Sequence, residues 1–235
     1  MKKLSFPTIV CCALLFGDLV LILAHSTLRQ SLGFFDLDKE GSLKAVFSGF
    51  QLIASGVASG WIAFLSSRLR APRLFVWLWS TMSALFIYLA LDDMMMIHER
   101  IGFVLNNWTG LHGAYESFNW LIYFTPLMIA GLLAFVAAVR ALLRIDARTR
   151  FWAIFGFAGF VLTLLFEVVG GYLLQVGNTP LYQLSIIFEE SFLLFGETFF
   201  LSALVLAVQS LFSRCFVMRA TEDIPAPARD TIAHP

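Results

Sequence analysis

Charge is what this chain has least of. Only 14% of its 235 residues are Asp, Glu, Lys or Arg, against about 25% in an ordinary soluble domain. That scarcity argues against one large soluble core. Cysteine is scarce too: Cys11, Cys12 and Cys215 suggest neither a disulfide framework nor a CxxC metal site. A signal-peptide pattern is missing, because the apolar stretch after Lys2 and Lys3 runs to about residue 24 without a small-x-small cleavage site. It reads instead as an uncleaved first transmembrane helix. No lysine falls inside the apolar spans, which disfavours a retinal Schiff base. The basic loops SSRLRAPR and RALLRIDARTR suit an anionic membrane leaflet, so no nucleic-acid partner is expected.

Apolar sequence fills the space that charge leaves. Hydrophobic residues make up 59% of the chain, and the mean hydropathy is +0.82. Six segments, at 8–27, 45–67, 74–97, 118–141, 151–174 and 184–212, each reach the roughly 20 residues that a bilayer crossing needs. Backbone polar groups in lipid must be satisfied within the segment, which makes helices of all six. The expected fold is all-α: a polytopic membrane bundle of six transmembrane helices over 1–215, with a flexible cytoplasmic tail at 216–235. Twelve of the sixteen basic residues fall on the side that holds both termini. The positive-inside rule makes that side the cytoplasm. The expected setting is therefore a bacterial cytoplasmic (inner) membrane. Twelve of the sixteen acids fall on the opposite, outer half. Acids contribute little to topology, so their bias needs a separate cause.

Nine of these acids gather near one level: Asp18, Asp92, Asp93, Glu99, Glu116, Glu167, Glu189, Glu190 and Glu197. Several lie within apolar runs, where a lone charge is expensive. Arg100 is the only basic residue expected close to them, Lys44 being read as part of the outer loop 28–44. The densest stretch is LDDMMMIHER, residues 91–100. Were the third helix to continue through it, Asp92 and Glu99 would share a face, seven residues apart. Glu190 and Glu197 repeat that spacing on the sixth span. His112 and Glu116, and Asp18 and His25, add groups from other helices. Glu-x-x-His and His-Glu-x-x-His pairings are absent, so no metal motif is present. The clustering by depth still fits a site for a divalent ion, with Zn, Fe, Mn and Ca open as identities.

The leading expectation is a membrane-embedded, metal-dependent enzyme with an outward-facing carboxylate and histidine site, acting on a lipid or lipid-linked substrate. Asp92, His98, Glu99, Glu190 and Glu197 would bind the metal. Asp93 and Glu167 would carry protons or accept hydrogen bonds. Phe192, Phe195, Phe199 and Phe200 could line an apolar groove for such a substrate. The alternatives are a proton or cation transporter, disfavoured because no polar path is seen toward the cytoplasm, and a subunit beside a membrane protein partner. Gly56, Gly60, Gly156, Gly159, Gly170 and Gly171 read as close helix contacts.

Overall fold

The computed structural model describes residues 6–28, 32–37, 42–110 and 119–222. They form seven α-helices: α1 (Phe6–Leu28), α2 (Leu43–Arg68), α3 (Arg73–Met95), α4 (Ile97–Thr109), α5 (Asn119–Ile145), α6 (Thr149–Gln175) and α7 (Thr179–Glu222). A 3-10 turn, Gly33–Phe35, lies between α1 and α2. All but α4 are long and apolar enough to cross a membrane. Large apolar side chains such as Phe16, Leu74, Trp77 and Leu133 face outward, the surface expected of an integral membrane protein.

Two close seams organise the bundle. On α6, a Cβ added to Gly159 would lie 2.6 Å from the Gly196 Cα of α7, and one added to Gly156 would lie 2.7 Å from the Phe200 backbone nitrogen. No side chain fits there, so glycine lets the two backbones touch. On α2, a Cβ on Gly56 would lie 2.8 Å from Ile87 of α3, and Ser83 donates a hydrogen bond to the Gly56 carbonyl at 2.7 Å. The glycine reading of the sequence holds at both seams. The core between them is aromatic: Phe86, Phe135 and Phe200 pack with ring centroids 4.5–5.8 Å apart.

Three local features differ from expectation. Helix α3 stops at Met95, and Met96 adopts left-handed backbone (φ 55°, ψ 42°) before α4 begins. A non-glycine residue there costs roughly 1–2 kcal/mol. Asp92 offsets that cost by accepting the His98 backbone N–H at 2.8 Å. Helix α4 was not expected as a separate element, its first residues being read as a continuation of the third helix and those from 105 as outer loop. It exposes Ile101, Phe103, Val104 and Trp108 while burying Asn106, the pattern of a helix lying at an apolar–polar boundary. Finally, α7 covers 44 residues rather than 184–212, about 66 Å at 1.5 Å per residue, and its described helix runs to Glu222.

Candidate functional site

Lys44 is the second residue of α2, after the N-cap Ser42, whose hydroxyl accepts the Ala45 N–H. A cation is disfavoured at a helix N-terminus, and this one is also buried, with 7% of its side chain exposed. What holds it is acid. Its Nζ lies 2.6 Å from Glu190 Oε2 and 3.5 Å from Asp93 Oδ1. Glu197, one per cent exposed, stands two turns further along α7 and accepts a 2.7 Å hydrogen bond from Ser48. The expectation that Arg100 is the only basic residue close to these acids is therefore wrong. Lys44 was assigned to the outer loop because it precedes the apolar run, but the first turn of α2 folds it inward. The second apolar helix begins at Leu43 rather than 45, so a lysine falls in its first turn, where the sequence reading placed none inside a span.

Beside this cluster, Asp92 and His98 form a pair across the Met96 break. Asp92 Oδ2 meets His98 Nδ1 at 2.8 Å, while Oδ1 takes the His98 N–H. Two contacts from one carboxylate fix both the ring and the start of α4. Because the helix breaks, the expected shared face of Asp92 and Glu99 on one continuous helix does not form. The Glu99 side chain, together with His112 and Glu116, lies outside the described residues.

A cavity of about 580 Å³ opens onto these groups. Its polar lining is Lys44, Asp92, Asp93, His98, Glu167, Glu189, Glu190 and Glu197, with Tyr88, Thr163 and Tyr182. The rest is apolar: Leu85 and Leu89 of α3, Phe124, Leu127, Met128 and Leu132 of α5, Phe157, Phe160, Val161 and Leu164 of α6, and Ile186 and Leu193 of α7. The volume falls within the roughly 300–1,000 Å³ usual for small-molecule sites. Of the expected metal-binding and proton-carrying residues, Asp92, Asp93, His98, Glu167, Glu190 and Glu197 all border this one space. Among the described residues, however, no group of three or more His, Cys, Asp or Glu side chains converges as a metal site would require. The expected aromatic lining is also displaced. Phe199 packs on Phe151, Trp152 and Phe155, Phe192 on Phe166 and Phe188, and Phe200 in the core, leaving the wall to Phe124, Phe135, Phe157 and Phe160.

Two other expected groups go elsewhere. His25 Nδ1 accepts the Leu37 N–H at 3.0 Å and lies 3.7 Å from Asp36, so it pins the segment after α1. Asp18 is fully buried with Gln51 and Thr198, contacted at 3.1 and 2.8 Å. Sequence reading missed Gln51, Ser48 and Thr198. The signal was available: Lys44, Ser48, Gln51, Ser55 and Ser59 recur every three or four residues along α2, one buried polar stripe.

The chain belongs to the family described as Domain of unknown function (DUF8692), whose model matches residues 8–208. Neither the curated proteins nor the solved structures hold a match to it.

Proposed function

We propose that this protein is a membrane-embedded enzyme that draws an amphipathic substrate into the cavity, with the polar group at the Lys44–carboxylate end and the tail along α5 and α6. The supporting observation is that one cavity joins a buried lysine–carboxylate cluster and an Asp–His pair to a long apolar wall. Six acids border it against one lysine and one histidine, so it favours a hydroxyl-rich or cationic head over a phosphate. Asp92 holds a proton on His98 Nδ1, which makes Nε2 the basic nitrogen. In this reading His98 takes a proton from the attacking group. Lys44, kept cationic by Glu190 and Asp93, steadies negative charge that develops on the substrate. Glu167 is the candidate to return the proton. The site faces the outer side of a bacterial inner membrane, and both termini are cytoplasmic.

A divalent ion, Zn, Fe, Mn or Ca, belongs to the finer version of this reading, held by Asp92, His98, Glu99, Glu190 and Glu197. Lys44 weighs against it as a requirement, since the ammonium already offsets the carboxylates that an ion would neutralise. A membrane protein partner remains compatible with the exposed apolar faces.

The test places purified protein in lipid nanodiscs made from a total membrane extract and follows the lipids by mass spectrometry. The reading expects one lipid class to be converted, with the conversion lost in His98→Gln and Lys44→Met. Conversion abolished by EDTA and restored by one metal supports the metal-dependent version. No converted lipid, or conversion unchanged in both variants, overturns the proposal.

A further inference from the structure

Asp18, Gln51 and Thr198 close a ring of three polar contacts. The Gln51 amide lies 3.1 Å from Asp18 Oδ1, Thr198 Oγ1 lies 2.8 Å from Asp18 Oδ2, and the same Thr198 oxygen lies 2.8 Å from Gln51 Oε1. Three contacts at these distances need three protons. The side-chain amide directs one into the ring and the threonine hydroxyl supplies one. The third has to come from Asp18, in either orientation of the Gln51 amide. An ionised Asp18 would leave two acceptor oxygens facing each other in a site closed to bulk solvent. The ring thus stores a proton on Asp18.

That stored proton sits between two polar segments. Toward the cavity, Glu197 is the next residue on α7 and Ser48 is one turn away on α2. Glu197 Oε1 accepts from Ser48, and its buried Oε2 has no hydrogen-bond partner among the described residues. In the other direction, Ser55 and Ser59 continue the buried stripe of α2 at intervals of about 6 Å. The Ser59 hydroxyl is fully buried and also has no partner among the described residues. Buried polar atoms without protein partners are the places where internal water binds. Beyond Ser59 the stripe stops at Ile62, which is fully buried, before resuming at Ser66, whose buried hydroxyl is likewise unpartnered among the described residues.

We propose that the interface of α1, α2 and α7 is a water-assisted proton path that leads from Ser48, beside the cavity, through Asp18 to Ser59, and that Ile62 closes it. Each carrier releases one proton to its neighbour as it takes one from the group before it, so no charge accumulates. Gln51 is a positioning residue that holds Asp18 and Thr198 in register. Such a path gives the cavity chemistry access to protons from the opposite side of the membrane. It rests on these contacts and not on the lipid chemistry proposed above, so either reading can fail alone.

The experiment reconstitutes the full chain in liposomes carrying an internal pH-sensitive dye and imposes a pH step. Wild type is expected to pass protons slowly. Ile62→Ser is expected to raise the flux several-fold, and Asp18→Asn in that background to return it to wild type. Infrared spectra of wild type are expected to show a protonated-carboxyl band that Asp18→Asn removes. This second readout needs only folded protein and remains informative if Ile62→Ser fails to fold. Absence of that band, or an Ile62→Ser flux equal to wild type in a folded variant, overturns the path.

Discussion

The two ends of this bundle each hold a basic residue against a carboxylate, with nearly equal geometry and opposite surroundings. At one end Lys44 lies 2.6 Å from Glu190, and both side chains are almost wholly covered. At the other, Arg148 places Nη2 2.8 Å and Nε 3.0 Å from Asp146 Oδ2, yet 64% of the arginine side chain is exposed. Distance alone would rank the pairs together. Solvent separates them: water and salt can replace Asp146 around Arg148, whereas nothing described around Lys44 can replace its acids. The buried cluster is a group of carboxylates gathered around one cation, and the exposed pair closes a turn between α5 and α6.

The comparison breaks most visibly at Lys44. Lys44→Met leaves Asp93, Glu190 and Glu197 near one another without their cation, which should cost about 3–5 kcal/mol as for other broken buried pairs. Thermal unfolding in detergent reads the loss. Adding Glu190→Gln and Asp93→Asn should recover most of it, because the repulsion goes with the charges. A single variant as stable as wild type would show that the acids find another counter-charge, and the metal-dependent reading would then gain.

The fold was legible because lipid allows few solutions. Six apolar runs of the right length had to be helices, and Gly156 and Gly159 had to be contact points. The site was legible in part. Asp92, Asp93, His98, Glu167, Glu190 and Glu197 do border one cavity. Two things were hidden. The helix break at Met96 leaves no glycine or proline in the sequence to announce it. The inward turn of Lys44 depends on acids from α3 and α7, forty-nine and more residues away, which local pattern cannot see. Reading Lys44 as loop led directly to the demand for an external cation.

A second effect concerns the cavity walls. The α6–α7 wall is fused at Gly159, so Gly159→Ala should destabilise by about 1–3 kcal/mol through overpacking. Gly131→Ala on α5 is the control, since among the described residues its new Cβ would meet only Leu85, at 4.0 Å, and alanine favours helix. Parallel unfolding curves of the two variants check this. Equal losses would mean that the walls are equally tight and that the proposed substrate tail has no softer side to enter by.

A smaller effect belongs to Asp92. Asp92→Ala removes the acceptor for the His98 N–H, a capping contact worth about 1 kcal/mol. Faster hydrogen exchange at the start of α4, with the remaining helices unchanged, is the expected signature. Unchanged exchange there would mean that Met96 holds its turn without the aspartate, and the His98 ring would lose its argued support.

The smallest effect is at the exposed pair, and its sign is fixed by protons. Hydrogen bonds from Arg148 hold the Asp146 carboxyl below its usual range. A carboxylate depressed on folding contributes stability that is complete above its unfolded value of about 3.9 and disappears as pH falls through its folded value. Asp146→Asn should therefore lower stability at neutral pH by about 0–1 kcal/mol, the usual scale for exposed pairs, and high salt should shrink the difference. At acid pH, below the folded value, the wild-type advantage should vanish, because the aspartate is then as neutral as the amide. Unfolding midpoints of both proteins at neutral and acid pH decide it. A difference that survives acid and salt would come from the turn geometry held by the Arg148 N–H to Asp146 Oδ1 contact, and the contrast with Lys44 would then be one of burial alone.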